Sequence, residues 1–115
     1  NSVEAALEQA KASGSLVMVD FYADWCAACK EFEKITFPDS AVAVELNKIA
    51  LARIDMTKLD EKSEEYEDRY EILGLPTILF LRADGSEING SRIEGFLNPQ
   101  EFLAHLEKVR SLLLQ

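Results

Sequence analysis

Apolar positions along this chain switch repeatedly between helical and strand spacing. From Ser2 to Ser13, Ala5, Ala6, Leu7 and Ala10 form one apolar side; Asn1 or Ser2 can cap the start and Gly14 the end, which predicts a helix. The run from Leu16 to Tyr22 is almost continuously apolar, β-branched and aromatic, and predicts a buried central strand. Cys26 to about Thr36 has helical spacing with Phe32 and Ile35 inward, broken by Phe37-Pro38-Asp39. Asp39 or Ser40 then starts a further helix through Leu46.

The second half repeats the alternation. Ile49 to Asp55 predicts a second strand, and Lys58 to Leu73 an acidic helix with Leu59, Tyr66, Tyr70 and Leu73 on one stripe, closed by Gly74. Thr77 to Leu81 predicts a third strand. Ala83-Asp84-Gly85-Ser86 carries a hairpin signal, and a fourth strand follows around Glu87 to Glu94. Asn98 as N-cap, Pro99 at the first helical position and Glu101 at the third open the last helix, with Phe102, Leu106, Val109 and Leu113 inward.

The order is α-β-α-α-β-α-β-β-α, an α/β class without repeats or linkers. Helix-linked first and second strands should be parallel with a right-handed crossover. The last two strands form a hairpin, so the sheet is mixed, of four to five strands, with helices on both faces.

Length and charge narrow the partners. With 115 residues the chain is one domain, residues 1–115, and its 48% apolar content suits a globular protein. A net charge of −9 argues against nucleic acid and anionic membrane surfaces. No stretch approaches the roughly 20 apolar residues of a membrane span. The start at Asn1, with no Met and no basic leader, reads as a mature protein or an excised domain.

Chemistry concentrates at Cys26-Ala27-Ala28-Cys29, which holds the only two cysteines. A strand feeds into them and a helix carries them, so Cys26 sits at a helix N-terminus, where free N–H groups and the dipole favour a thiolate. As a redox site, Cys26 is the nucleophile and Cys29 the resolving thiol. Two other readings stand beside it: buried thiols adjacent by chance, and a zinc or copper half-site. The only imidazole is His105, read as a solvated residue beside the last helix's stripe, so four zinc ligands would require a second chain.

Asp20 interrupts the most apolar strand. It is either a hydrogen-bonded strand-edge acid or a buried acid that moves protons to or from Cys29. Glu33 lies four residues after Cys29, on the same helix face, as a solvated residue or a second tuning acid. Together the two acids would raise the thiol pKa values against the dipole, leaving a poor thiolate until a partner docks. Trp25 is a core aromatic or the exposed lip of the site. The acidic helix reads as a solvated face.

At this point the chain resembles the thioredoxin superfamily. The carrying residues are the run from Val19 through Asp20 and Trp25-Cys26-Ala27-Ala28-Cys29 to Lys30, together with Gly74-Leu75-Pro76-Thr77. Ala27-Ala28 departs from the Gly-Pro of thioredoxin itself. With Tyr22-Ala23-Asp24 before it and Glu31-Phe32-Glu33-Lys34 and Thr36-Phe37 after it, this segment is similar to the C-terminal periplasmic domain of the DsbD family of transmembrane thiol:disulfide interchange proteins.

The resemblance implies a thioredoxin fold, a cis bond at Leu75–Pro76 facing a redox-active Cys26–Cys29 disulfide, and tuning by Asp20 and Glu33. It implies partner docking at Leu75, Pro76 and Trp25. It further implies a domain of a larger membrane-anchored protein, at the periplasmic face of a bacterial inner membrane and monomeric when isolated. Electrons would pass from a membrane-embedded domain to an N-terminal periplasmic domain that reduces disulfide isomerases and cytochrome c maturation factors. No flavin or nicotinamide motif appears, so no cofactor is expected and the donor is another protein dithiol. A free-standing thioredoxin-like reductase and a redox-inert metal-binding module are the alternatives.

Overall fold

In the computed structural model, which describes residues 2–114, β1 (Val17–Tyr22) is the centre of a three-stranded sheet of order β2-β1-β3. Its residues Val17 to Phe21 are buried on both faces, as their sequence demands. It pairs in parallel with β2 (Ala50–Asp55), in a register that sets Val17 against Ala50, Asp20 against Arg53 and Tyr22 against Asp55. It pairs antiparallel with β3 (Thr77–Leu81), Val17 against Leu81 and Phe21 against Thr77.

The fourth strand is reduced. The segment after the Asp84-Gly85 turn meets β3 only at the isolated bridges Leu81–Glu87 and Ile78–Ile93. Between them Gly90 adopts a left-handed conformation, and the Ser91 amide and hydroxyl both donate to the Ile88 carbonyl. That turn lifts the chain away from β3, so the mixed sheet has three regular strands and a bridged edge.

Alternation along β1 divides the core. On one face Val17, Val19 and Phe21 pack with Val3, Ala6 and Ala10 of α1 (Val3–Ser13) and Tyr66 of α4 (Glu61–Tyr70). On the other, Met18 meets Phe32, Val42 and Leu46 of α3 (Ser40–Leu46), and Phe102, Leu106 and Val109 of α5 (Pro99–Leu113). Each of these large side chains contributes roughly 1.5–3 kcal/mol by burial.

Most predicted caps are present. Ser2 accepts from the Ala5 amide, while the other candidate, Asn1, lies outside the described residues. Asp39 caps α3, and Asn98 and Glu101 form a reciprocal capping box on α5. The acidic helix is shorter than its spacing suggests, because Asp60 caps its start and Glu71 turns left-handed at its end (φ 53°). Leu59 and Leu73 therefore fall outside the helix and are exposed, and Gly74 is not the cap.

The cysteine-bearing helix also differs. α2 (Ala27–Glu31) continues as a π-helical segment, Phe32–Thr36, closed by a 2.8 Å bond from the Phe37 amide to the Phe32 carbonyl. The wider turn points Thr36 inward, stacks Phe37 on Phe32 at 5.2 Å between centroids, and leaves Ile35 48% exposed rather than inward.

Candidate functional site

β1 ends at Tyr22, and the next three residues carry the chain over the end of the sheet to Cys26. Thr57 anchors this loop: its hydroxyl accepts from the Asp24 amide (2.9 Å) and donates to Asp55, and its carbonyl lies 3.5 Å from the Trp25 indole nitrogen. Trp25 is 64% exposed, so it is not a core aromatic.

Cys26 is the N-cap of α2. Its extended backbone turns into the helix, and its sulfur accepts from the Cys29 amide at 3.2 Å. Cys26 and Cys29 are joined as a disulfide, their Cα atoms 5.3 Å apart. Both are well covered, Cys26 6% and Cys29 3% exposed, packed with Ala23 and flanked by Tyr22, Ala28 and Leu75. The helix start supplies unpaired amides and a positive dipole end at Cys26, the conditions that favour a thiolate on the first sulfur when the bond opens.

The Leu75–Pro76 bond is cis. Pro76 and Thr77 are buried, and the Thr77 hydroxyl fixes the preceding turn by donating to the Gly74 carbonyl at 2.6 Å. Leu75, the residue before Pro76, is half-buried against the cysteine cluster. Arg92 ties the end of α4 to the segment after β3. Its guanidinium pairs with Glu87 and donates to the carbonyls of Tyr70 (2.7 Å) and Glu71 (3.1 Å), where α4 ends.

Asp20 and Glu33 are brought together, and by a residue the sequence reading did not single out. Asp20 is 3% exposed and accepts from Nε of Arg53 at 3.0 Å; Glu33 accepts from Nη2 of the same guanidinium at 2.7 Å. Burial pushes the Asp20 carboxyl up, Arg53 pulls it part of the way back, and Glu33 pushes it up again. Arg53 stands opposite Asp20 in the parallel register of β1 and β2, a relation that only the paired strands reveal. Thr57 had no sequence signal either, since its role depends on where two loops meet.

His105 is half-buried rather than solvated, its Nε2 bonded to the Ser91 carbonyl and its ring tilted against Phe80. Among the described residues no group of three or more His, Cys, Asp or Glu gathers in a metal-binding arrangement. A buried disulfide at a helix N-terminus, a cis-proline loop against it and a buried acid on the central strand are parts suited to thiol–disulfide exchange.

Residues 3–110 match the thioredoxin-like domain family, and the chain belongs to it. Within that class the similarity is to the thiol:disulfide interchange protein DsbD. The chain is 47% identical to that of Pseudoalteromonas atlantica over 92% of its own length and 18% of the relative's. To that of Pectobacterium atrosepticum it is 51% identical, over 80% of the chain and 16% of the relative. The crystal structure of the Neisseria meningitidis DsbD C-terminal domain in the reduced form superposes with a TM-score of 0.83, at 28% identity and 94% coverage of both chains. The chain thus spans under a fifth of the curated relatives it matches. Among its described residues no helix is long and apolar enough to cross a membrane.

Proposed function

We propose that this domain is the C-terminal periplasmic electron carrier of a DsbD-type protein. It takes two electrons from a dithiol in a membrane-embedded domain and passes them to an N-terminal periplasmic domain. The observation that carries the reading is the Cys26–Cys29 disulfide at a helix N-terminus, in a chain alike to DsbD over most of its length.

The exchange follows from the two sulfurs. In loading, a donor thiolate attacks Cys26, the Cys26–Cys29 bond breaks and Cys29 takes up a proton. A second donor thiol then loses its proton, attacks the first donor sulfur and frees Cys26, leaving an oxidised donor and a reduced domain. In unloading, the Cys26 thiolate attacks an acceptor disulfide and forms a mixed disulfide. Cys29 then gives up its proton and attacks the Cys26 sulfur. The Cys26–Cys29 bond forms, and the acceptor leaves as a dithiol holding both electrons. Trp25 and Leu75 form the accessible part of the surface an incoming chain meets, and the buried Pro76 shapes it. Electrons come from a protein dithiol, so the step needs no bound cofactor.

A redox titration against a dithiol buffer, acid-quenched and alkylated, counts Cys26 and Cys29 thiols by mass. A single two-electron transition is expected, between about −270 mV, typical of thioredoxin, and about −180 mV, typical of the isomerases. A value near −120 mV would make the domain an oxidant and reverse the proposed flow. The absence of any reversible transition would remove the carrier reading.

A further inference from the structure

One guanidinium ties β2 to side chains of β1 and of the π-helical segment that follows α2. Arg53 reaches from edge strand β2 with Nε on Asp20 of β1 and Nη2 on Glu33 of the π-helical segment. Its Cζ also stands 4.1 Å from the Tyr22 ring centroid, a cation–π contact that holds the plane of the fork. The charged and titratable groups facing Asp20 are thus Arg53, Glu33 and, further along its own strand, Tyr22. The rest of its surroundings is apolar: Ile78 is its register partner on β3, and Met18, Phe37, Leu46 and Leu51 line, together with both acids and Arg53, a cleft of about 410 Å³.

We propose that Arg53 is a positioning residue for the exchange step: it gathers Asp20 and Glu33 into one fixed unit with a single net negative charge, and so sets the pH at which the dithiol ionises. This rests on the dithiol-carrier reading. Glu33 lies four residues after Cys29 on the continuous run from α2 into the π-helical segment, so charge held at this unit acts on the sulfurs through a short path. Each uncompensated carboxylate disfavours a thiolate nearby. Without the guanidinium, Asp20 would stand buried beside Glu33 with no cation, take up a proton more readily, and above that pH present a second negative charge to the sulfurs. A lysine would restore charge but not the two-pronged geometry.

The test uses Arg53→Gln and Arg53→Lys in the whole domain, with folding checked by circular dichroism. In the oxidised protein, the Asp20 carboxyl carbon is titrated by NMR. In the reduced protein, the rate of Cys26 alkylation is followed against pH. For Arg53→Gln the Asp20 midpoint should move up and Cys26 alkylation at pH 7 should slow roughly three- to tenfold. Arg53→Lys should recover part of both. A purely structural role would leave these profiles in place, so superimposable curves for the wild type and Arg53→Gln would overturn the proposal. Should Arg53→Gln fail to fold, Arg53→Lys decides by the same measurement: profiles identical to wild type would overturn it, and partial shifts would support it. Failure of the carrier reading looks different, because the wild type would then show no reversible two-electron transition.

Discussion

Asp20 carries the largest conflict in the molecule, an acid 3% exposed in a wall of apolar side chains. Its native carboxyl sits above the ordinary value of 3.8, with burial the leading cause and Arg53 only a partial remedy. The sign of the stability effect follows. The folded protein holds this proton more tightly than the unfolded chain, so the cost of Asp20 is absent below the unfolded value and grows as pH rises through the raised native one. Asp20→Asn should therefore be more stable than wild type at pH 7, with the advantage shrinking toward zero below pH 4. Urea unfolding of both proteins at the two pH values measures it, and an equal gap at both would contradict the argument. The sequence singled out Asp20 and Glu33 separately, one as an edge or buried acid and the other by its spacing from Cys29, but not the contact that joins them. Arg53 was not singled out, because its meaning comes from strand register rather than from local pattern.

Among the elements, most caps and the three regular strands match their sequence reading, and helix limits less so. The spacing of Leu59, Tyr66, Tyr70 and Leu73 fits one stripe, but Asp60 and Glu71 stop the helix inside it. A capping carboxylate and a left-handed residue outweighed apolar periodicity. Ile35 was misplaced for another reason: the π-helical turn changes the angle per residue, which a fixed helical period cannot anticipate. The edge strand was overread because Gly90 breaks it from within. Glu71 also gives a direct test. A non-glycine residue at φ 53° is strained, and glycine adopts that conformation freely. Glu71→Gly should stabilise the domain by about 1 kcal/mol, read as a rise in the urea midpoint at constant m-value. A fall in the midpoint would show that the Glu71 side chain matters more than its backbone.

At the scale of the whole molecule, the dithiol stands apart from what holds the fold together. Two large apolar clusters occupy the two faces of the sheet, while Cys26 and Cys29 belong to a third, small cluster with Ala23 at one end. The disulfide spans a sequence separation of only 3, so it restrains the unfolded chain little. Reduction should lower the unfolding free energy by about 2 kcal/mol at most and leave one cooperative transition. Thermal and urea unfolding of both redox forms measure this, and loss of cooperativity on reduction would show that the disulfide is structural. A carrier must be folded in both states, and this division of labour permits it.

The pairing of Asp20 with Arg53 also bears on how the chain finds its own shape. Strands β1 and β2 are short and mostly apolar, so several alignments would bury similar surface. Sliding β2 by one residue would set Ala52 or Ile54 opposite Asp20 and turn Arg53 to the other face. The acid would then be entombed without a cation, a penalty of about 3–5 kcal/mol. Every one-residue slip incurs it, so the ion pair penalises those alignments while the sheet assembles.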